Sequence, residues 1–132
     1  MSKRDDVIKA AIKALPHAYA PYSRFQVGAA ILDEQGQLHQ GVNVENAAYP
    51  QGSCAEAGAI AAMIMAGGSQ INIIAVAGLG DVLCTPCGGC RQRIREFASP
   101  QTEILVCDEK GLRKAYQIEE LLPDSFGPDN LS

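Results

Sequence analysis

Apolar Val7, Ile8, Ala11, Ile12 and Leu15 recur at three- and four-residue intervals, so the spacing predicts an amphipathic helix from Asp5 to Leu15, with Pro16 just past its end. Residues 18–23 read as a loop. Phe25 to Leu32 reads as a strand, Gln35-Gly36 as a turn, and Leu38 to about Val44 as the partner in a hairpin. An Ala-, Ile- and Met-rich stretch from Ser53 to about Met65 reads as a helix that Gly67-Gly68 ends. Ile73 to Leu79 is a short apolar run of the kind found in buried strands. Pro86 to Phe97 reads as a helix with proline in its permitted first turn. Glu103 to Cys107 and then Gly111 to Ile118 are strand-like, and a tail runs from Leu121. In the second half strand and helix alternate, which predicts parallel pairing through helical crossovers. The expected class is α/β: one domain over 1–132, a three-layer α/β/α sandwich around a mixed, mostly five-stranded sheet.

Composition narrows the function. With 132 residues, 47% of them hydrophobic, the chain can bury one core without staples and is not disordered. A net charge of −4 argues against a grip on a polynucleotide backbone, which needs a basic face. The one basic cluster, Arg91, Arg93 and Arg95, reads as a solvated helix face, with Arg91 and Arg95 on one side and Arg93 elsewhere. The start of the chain is charged rather than apolar, and no apolar stretch approaches the roughly 20 residues that span a bilayer. A cytoplasmic setting is therefore expected, in which thiols stay reduced. The five cysteines, an odd number, then read as metal ligands or buried thiols instead of disulfides.

Two short segments carry the chemistry, Ser53-Cys54-Ala55-Glu56 and Thr85-Pro86-Cys87-Gly88-Gly89-Cys90. Both fall at an expected helix start, where the helix dipole and unpaired N–H groups favour a thiolate. Cys54, Cys87 and Cys90 would give Zn²⁺ three ligands and leave a fourth position open for water. Glu56, two residues from Cys54, is placed to move protons without ligating the metal. The pattern C-A-E followed by P-C-G-G-C fits the zinc deaminase signature in its three-cysteine form. Blander readings remain: Ser53 and Glu56 also form a capping box, and an isolated C-x-x-C serves redox or structural zinc sites. Cys84 extends the run to C-x-x-C-x-x-C, so a structural or iron–sulfur metal-binding protein is the alternative from another class. Cys107 reads as a buried strand residue.

Across nearly its whole length the sequence resembles the small, homotetrameric type of cytidine deaminase. The resemblance rests on Tyr19-Ala20-Pro21-Tyr22-Ser23-Arg24-Phe25-Gln26-Val27-Gly28-Ala29-Ala30, on Gly41-Val42-Asn43-Val44-Glu45-Asn46-Ala47-Ala48-Tyr49, on the two cysteine segments, and on Leu121-Leu122-Pro123-Asp124-Ser125-Phe126-Gly127-Pro128. It implies hydrolytic deamination of cytidine or deoxycytidine to uridine or deoxyuridine in pyrimidine salvage, with zinc as the cofactor and Glu56 as the proton shuttle. It also implies that Phe25 lies against the pyrimidine, that Asn43 and Glu45 hold the ribose, and that Ala55 joins the substrate contacts. Tyr49 is expected near a subunit junction, and Phe126 reaches a neighbouring subunit's site, so the expected assembly is a homotetramer with shared active sites. His17 and His39 match no ligand position, and Met63 and Met65 read as core or helix contacts. One departure stands out: the family places Arg after the catalytic Glu, bonding the zinc thiolates, whereas this chain has Ala57. Three thiolates leave a zinc site at −1, so losing that cation either detunes the metal or accompanies another substrate. Such a substrate would be another or modified 4-aminopyrimidine nucleoside or an aminopyrimidine antibiotic; backbone N–H groups and helix dipoles remain to compensate, and Arg91 is a further candidate. Editing of RNA or single-stranded DNA shares the zinc signature but conflicts with the acidic balance.

Overall fold

A computed structural model describes residues 2–132. Helix α1 (Lys3–Ala14) starts at Ser2, whose hydroxyl accepts from the Asp5 backbone N–H at 3.1 Å, and passes into a short 3₁₀ turn over Leu15–His17. Strands β1 (Val27–Asp33) and β2 (Leu38–Val42) form the expected hairpin, and α2 (Ala55–Met65) follows. Next come β3 (Ile71–Gly78), α3 (Gly88–Phe97), β4 (Ala98–Asp108), β5 (Gly111–Tyr116) and the single-turn α4 (Ile118–Leu121).

The sheet order is β2-β1-β3-β4-β5. Only β3 and β4 run parallel, joined by α3 as a crossover; the other pairs are antiparallel. Alternation along the strands sends Ala30, Leu32, Ala75, Ala77, Leu105 and Cys107 to the face covered by α1. Ala29, Ile31, Ile74, Val76 and Ile104 point to the face covered by α2, Ile94 of α3, and α4. The three layers and the mixed five-stranded sheet are therefore as the sequence predicts. Among the described residues no helix is long and apolar enough to cross a membrane.

Several boundaries differ, each for a local reason. Phe25 lies outside the first strand because its N–H goes to the Ser23 hydroxyl and its carbonyl to the Asn43 side chain. The second strand stops at Val42; beyond it Val44 makes isolated bridges to Tyr19 and Ser53. That bridge holds Ser53 extended, so α2 begins two residues later with Cys54 at its N-cap, and no Ser53–Glu56 capping box forms. α3 begins at Gly88, two residues after Pro86, with Cys87 at its N-cap. β4 starts at Ala98, five residues early, and the last strand ends at Tyr116 because Gln117 and Glu120 form a capping box for α4. Met63 is fully buried as expected, but Met65 is exposed at the helix end.

One packing contact sets where α2 can lie. The helix crosses β2 at Gly41, where an added Cβ would sit 2.2 Å from the Ala59 nitrogen and 2.4 Å from the Ala55 carbonyl oxygen. No side chain fits between the two backbones. Gly41→Ala is expected to lower the unfolding free energy by about 1–3 kcal/mol, the cost of overpacking. Urea denaturation measures it, and an unchanged midpoint would show that α2 lifts off the sheet freely.

Candidate active site

In the sheet register Val27 faces Gly78 and Val42 faces Gly28, so the start of β1 and the ends of β2 and β3 share one rim. Both cysteine segments leave the sheet at that rim. Cys54 and Cys87 stand at the N-caps of α2 and α3, and Cys90 follows in the first turn of α3. The sulfur atoms of Cys54, Cys87 and Cys90 lie within 4.8 Å of one another. Tetrahedral zinc with Zn–S bonds of about 2.3 Å spaces its sulfurs about 3.8 Å apart, so this donor set can hold the ion with little movement. Cys84 lies outside this set, and the close mutual spacing of the three sulfurs suits a single ion rather than an iron–sulfur cluster.

The three thiols differ. Burial foremost holds Cys54 and Cys90 above the usual thiol range. Cys87 is exposed and lies below it, drawn down chiefly by the Cys90 backbone N–H at the start of α3. Burial pushes Cys84 and Cys107 up to about 11. Glu56 is 4% exposed. Burial pushes its carboxyl up; its own backbone N–H, the Cys90 thiol and the Arg93 guanidinium oppose that without cancelling it.

Cys54, Cys87 and Glu56 line the floor of a cleft of about 360 Å³, the size of a small-molecule site, with Cys90 buried behind it. Phe25, Val27 and Val44 supply apolar wall, Cys84 and Thr85 line the side toward α3, and Asn43, Glu45 and Tyr49 stand toward the mouth. Ala55 is fully buried at the base of α2. Phe25 is half-exposed, free to present its ring to a guest. A second hollow shares Glu45 and Tyr49 with the first and continues past Tyr22, Ser23 and Asn46. Tyr22 and Tyr49 meet edge to face there, with centroids 6.2 Å apart.

Asn43 and Glu45 line the cleft together but also hold its rim. The Asn43 side chain accepts from the Val27 N–H at 2.8 Å and donates to the Phe25 carbonyl at 2.9 Å. The Glu45 carboxylate accepts from the Tyr22 and Ser23 N–H groups and from the Ser23 hydroxyl, which hold it below the usual carboxylate range. Phe126 is absent from this cleft. It is 57% exposed on the outside of α3, where Gln92 donates to its carbonyl and Arg95 to the neighbouring Ser125 hydroxyl.

The arginines of α3 are a solvated face only in part: Arg93 is exposed, while Arg91 and Arg95 are half-buried. Arg91 donates to the Pro86 and Leu121 carbonyls at 2.8 and 3.0 Å, so it ties loop to tail and does not serve the cysteines. The guanidinium that reaches the cluster is that of Arg93, 3.6 Å from the Cys90 sulfur. Sequence reasoning passed over it, although its three-residue spacing from Cys90 was the signal. His39, read as matching no ligand position, is buried against Asp33 at 2.7 Å and lies outside the cleft lining.

The sequence model of the cytidine and deoxycytidylate deaminase zinc-binding region matches residues 1–106. The chain is 38% identical to a cytidine deaminase of Sporosarcina psychrophila over 91% of its own length and 88% of the relative's. It is 42% identical to one of Mycobacterium tuberculosis over 92% and 87% of the two lengths. A crystal structure of cytidine deaminase from Burkholderia pseudomallei superposes with a TM-score of 0.88 at 38% identity, covering 96% of this chain and all of that one (100%). A buried carboxylate beside three clustered thiols, on the fold these relatives share, places the chain in the cytidine and deoxycytidylate deaminase family.

Proposed function

We propose that the protein deaminates cytidine and deoxycytidine hydrolytically, giving uridine or deoxyuridine and ammonia for pyrimidine salvage. The observation that carries this is Glu56, a buried carboxyl two residues after Cys54 on the floor of an apolar-walled cleft. Cys54, Cys87 and Cys90 would hold zinc, which would supply Lewis acidity to acidify a water in the cleft. Glu56 takes a proton from that water and delivers it to the ring nitrogen beside the amine-bearing carbon, while the hydroxyl joins that carbon. It then carries the second proton, from the new hydroxyl, to the exocyclic amine, which leaves as ammonia. Burial suits Glu56 to both transfers, because a raised pKa brings the carboxyl nearer to neutrality, where it can accept and return a proton.

Phe25 packs against the pyrimidine, and Ala55 closes the floor beneath it. Asn43 and Glu45 hold the ribose hydroxyls with the capacity left by their bonds to the rim. A homotetramer with shared sites is supported by Tyr49, 77% exposed at the mouth, and by Phe126, which is held outside its own cleft and is available to a neighbour's. Five free thiols fit a reducing cytoplasm.

Three measurements test this reading. Zinc-loaded protein is expected to release ammonia from cytidine, and Glu56→Ala to lose at least about 100-fold while retaining the metal; zinc-loaded wild type that releases none from either nucleoside overturns the proposal. In metal-stripped protein Cys87 is expected to be carboxymethylated well before Cys84 and Cys107, because its pKa lies below the usual thiol range and theirs near 11. Added zinc should protect Cys54, Cys87 and Cys90 together, and protection of a different set would displace the assigned ligands. Finally, Glu56→Ala and Phe126→Ala proteins, dissociated and reassociated as a mixture, are expected to regain activity that neither has alone. A mixture no better than its parts would place Phe126 outside the neighbour's site.

A further inference from the structure

We infer that Arg93 is the positioning residue for the metal cluster, holding the Cys90 sulfur and offsetting the excess negative charge from α3. Helical side chains lean back over the preceding turn, so a residue at 93 lies across positions 89 and 90. Arg93 does so: one guanidinium nitrogen stands 3.6 Å from the Cys90 sulfur, over Gly89, where an added Cβ would come within 3.2 Å of it. The sulfur it meets belongs to a fully buried residue.

The charge balance requires such a group. Three thiolates around a divalent ion sum to −1, and Glu56 adds a carboxyl beside them. Helix α2 carries no lysine or arginine at all. On α3, Arg91 is committed to the Pro86 and Leu121 carbonyls and Arg95 to Ser125, which leaves Arg93. Among the described residues no carboxylate lies within the 4.0 Å of an ion pair with Arg93. Ala57 and Arg93 line the same shallow hollow between α2 and α3, together with Ala61 and Phe97. An arginine at 57 and one at 93 would thus approach the cluster from opposite walls of one space, and this chain uses the second wall.

The inference rests on the three-cysteine metal site and is tested through the metal rather than turnover. Arg93→Gln is expected to release zinc to a chromogenic chelator about tenfold faster, in line with the loss of a group that supports metal ligands. In the cobalt(II)-substituted protein its thiolate-to-metal charge-transfer band should move to longer wavelength, since a sulfur without its hydrogen bond gives up an electron more readily. Arg93→Lys should fall between, and Ala57→Arg with Arg93→Gln should bring both readouts back toward the wild type. Unchanged release and spectrum overturn the proposal. So does a matching fall in the unfolding midpoint of the metal-free protein, which would make Arg93 a structural residue only. A wild type that takes up neither zinc nor cobalt overturns the metal site itself, and that result is seen before any variant is compared.

Discussion

Two helices begin at one point in space, each with a cysteine at the N-cap where serine or aspartate ordinarily closes the first turn. Neither side chain closes its helix with a full capping hydrogen bond, although the Cys90 N–H lies near enough to the Cys87 sulfur to lower its pKa. The electropositive ends of α2 and α3 therefore face the thiols and each other, and that mutual repulsion is relieved when the thiols ionise around a metal. The fold's main long-range demands serve this meeting. The β3-α3-β4 crossover brings Cys87 and Cys90 to the rim, and the close approach at Gly41 presses α2 onto β2 so that Cys54 arrives beside them.

Burying a carboxyl in the same place raises the stakes. Glu56 and three sulfurs would be a costly concentration of negative charge in a low-dielectric floor without cations to offset it. The metal is one such cation, and the Arg93 guanidinium is another. The substrate side is kept nearly neutral: Asn43 is an amide, and the Glu45 charge is spent on two backbone N–H groups and a hydroxyl of the rim loop. A neutral pyrimidine nucleoside suits such a cleft better than a phosphorylated one would.

Most of this was legible in the sequence where local rules govern. The α1 periodicity, the hairpin around Gln35-Gly36 and the succession of strands along the chain follow from patterning, and the three cysteines with Glu56 were legible as a match to the zinc deaminase signature. What escaped depends on partners distant in the chain. The start of α2 was misplaced because Ser53 looks like a cap until Val44, nine residues earlier, takes its backbone. Phe25 looked like strand because nothing local reveals that Asn43 captures its carbonyl. The short α4 was hidden by a preceding strand pattern that ran straight into it. Arg91 and Arg95 looked solvated because their acceptors, at Leu121 and Ser125, lie 30 residues away in the chain.

Arg91, Arg93 and Arg95 also show why alternate arginines along one helix diverge in function. A step of two residues turns the helix by about 200°, so neighbours in the row point to opposite sides. Arg91 and Arg95, four apart, share the side that meets the C-terminal tail and fasten it at Leu121 and Ser125. That fastening is what holds Phe126 out on the surface, away from its own cleft. Arg93, turned the other way, meets the metal ligands. One short helix thus supplies two ligands, the cation beside them, and the clamp on the segment proposed to complete a neighbour's site. Displacing α3 would disturb all of them together.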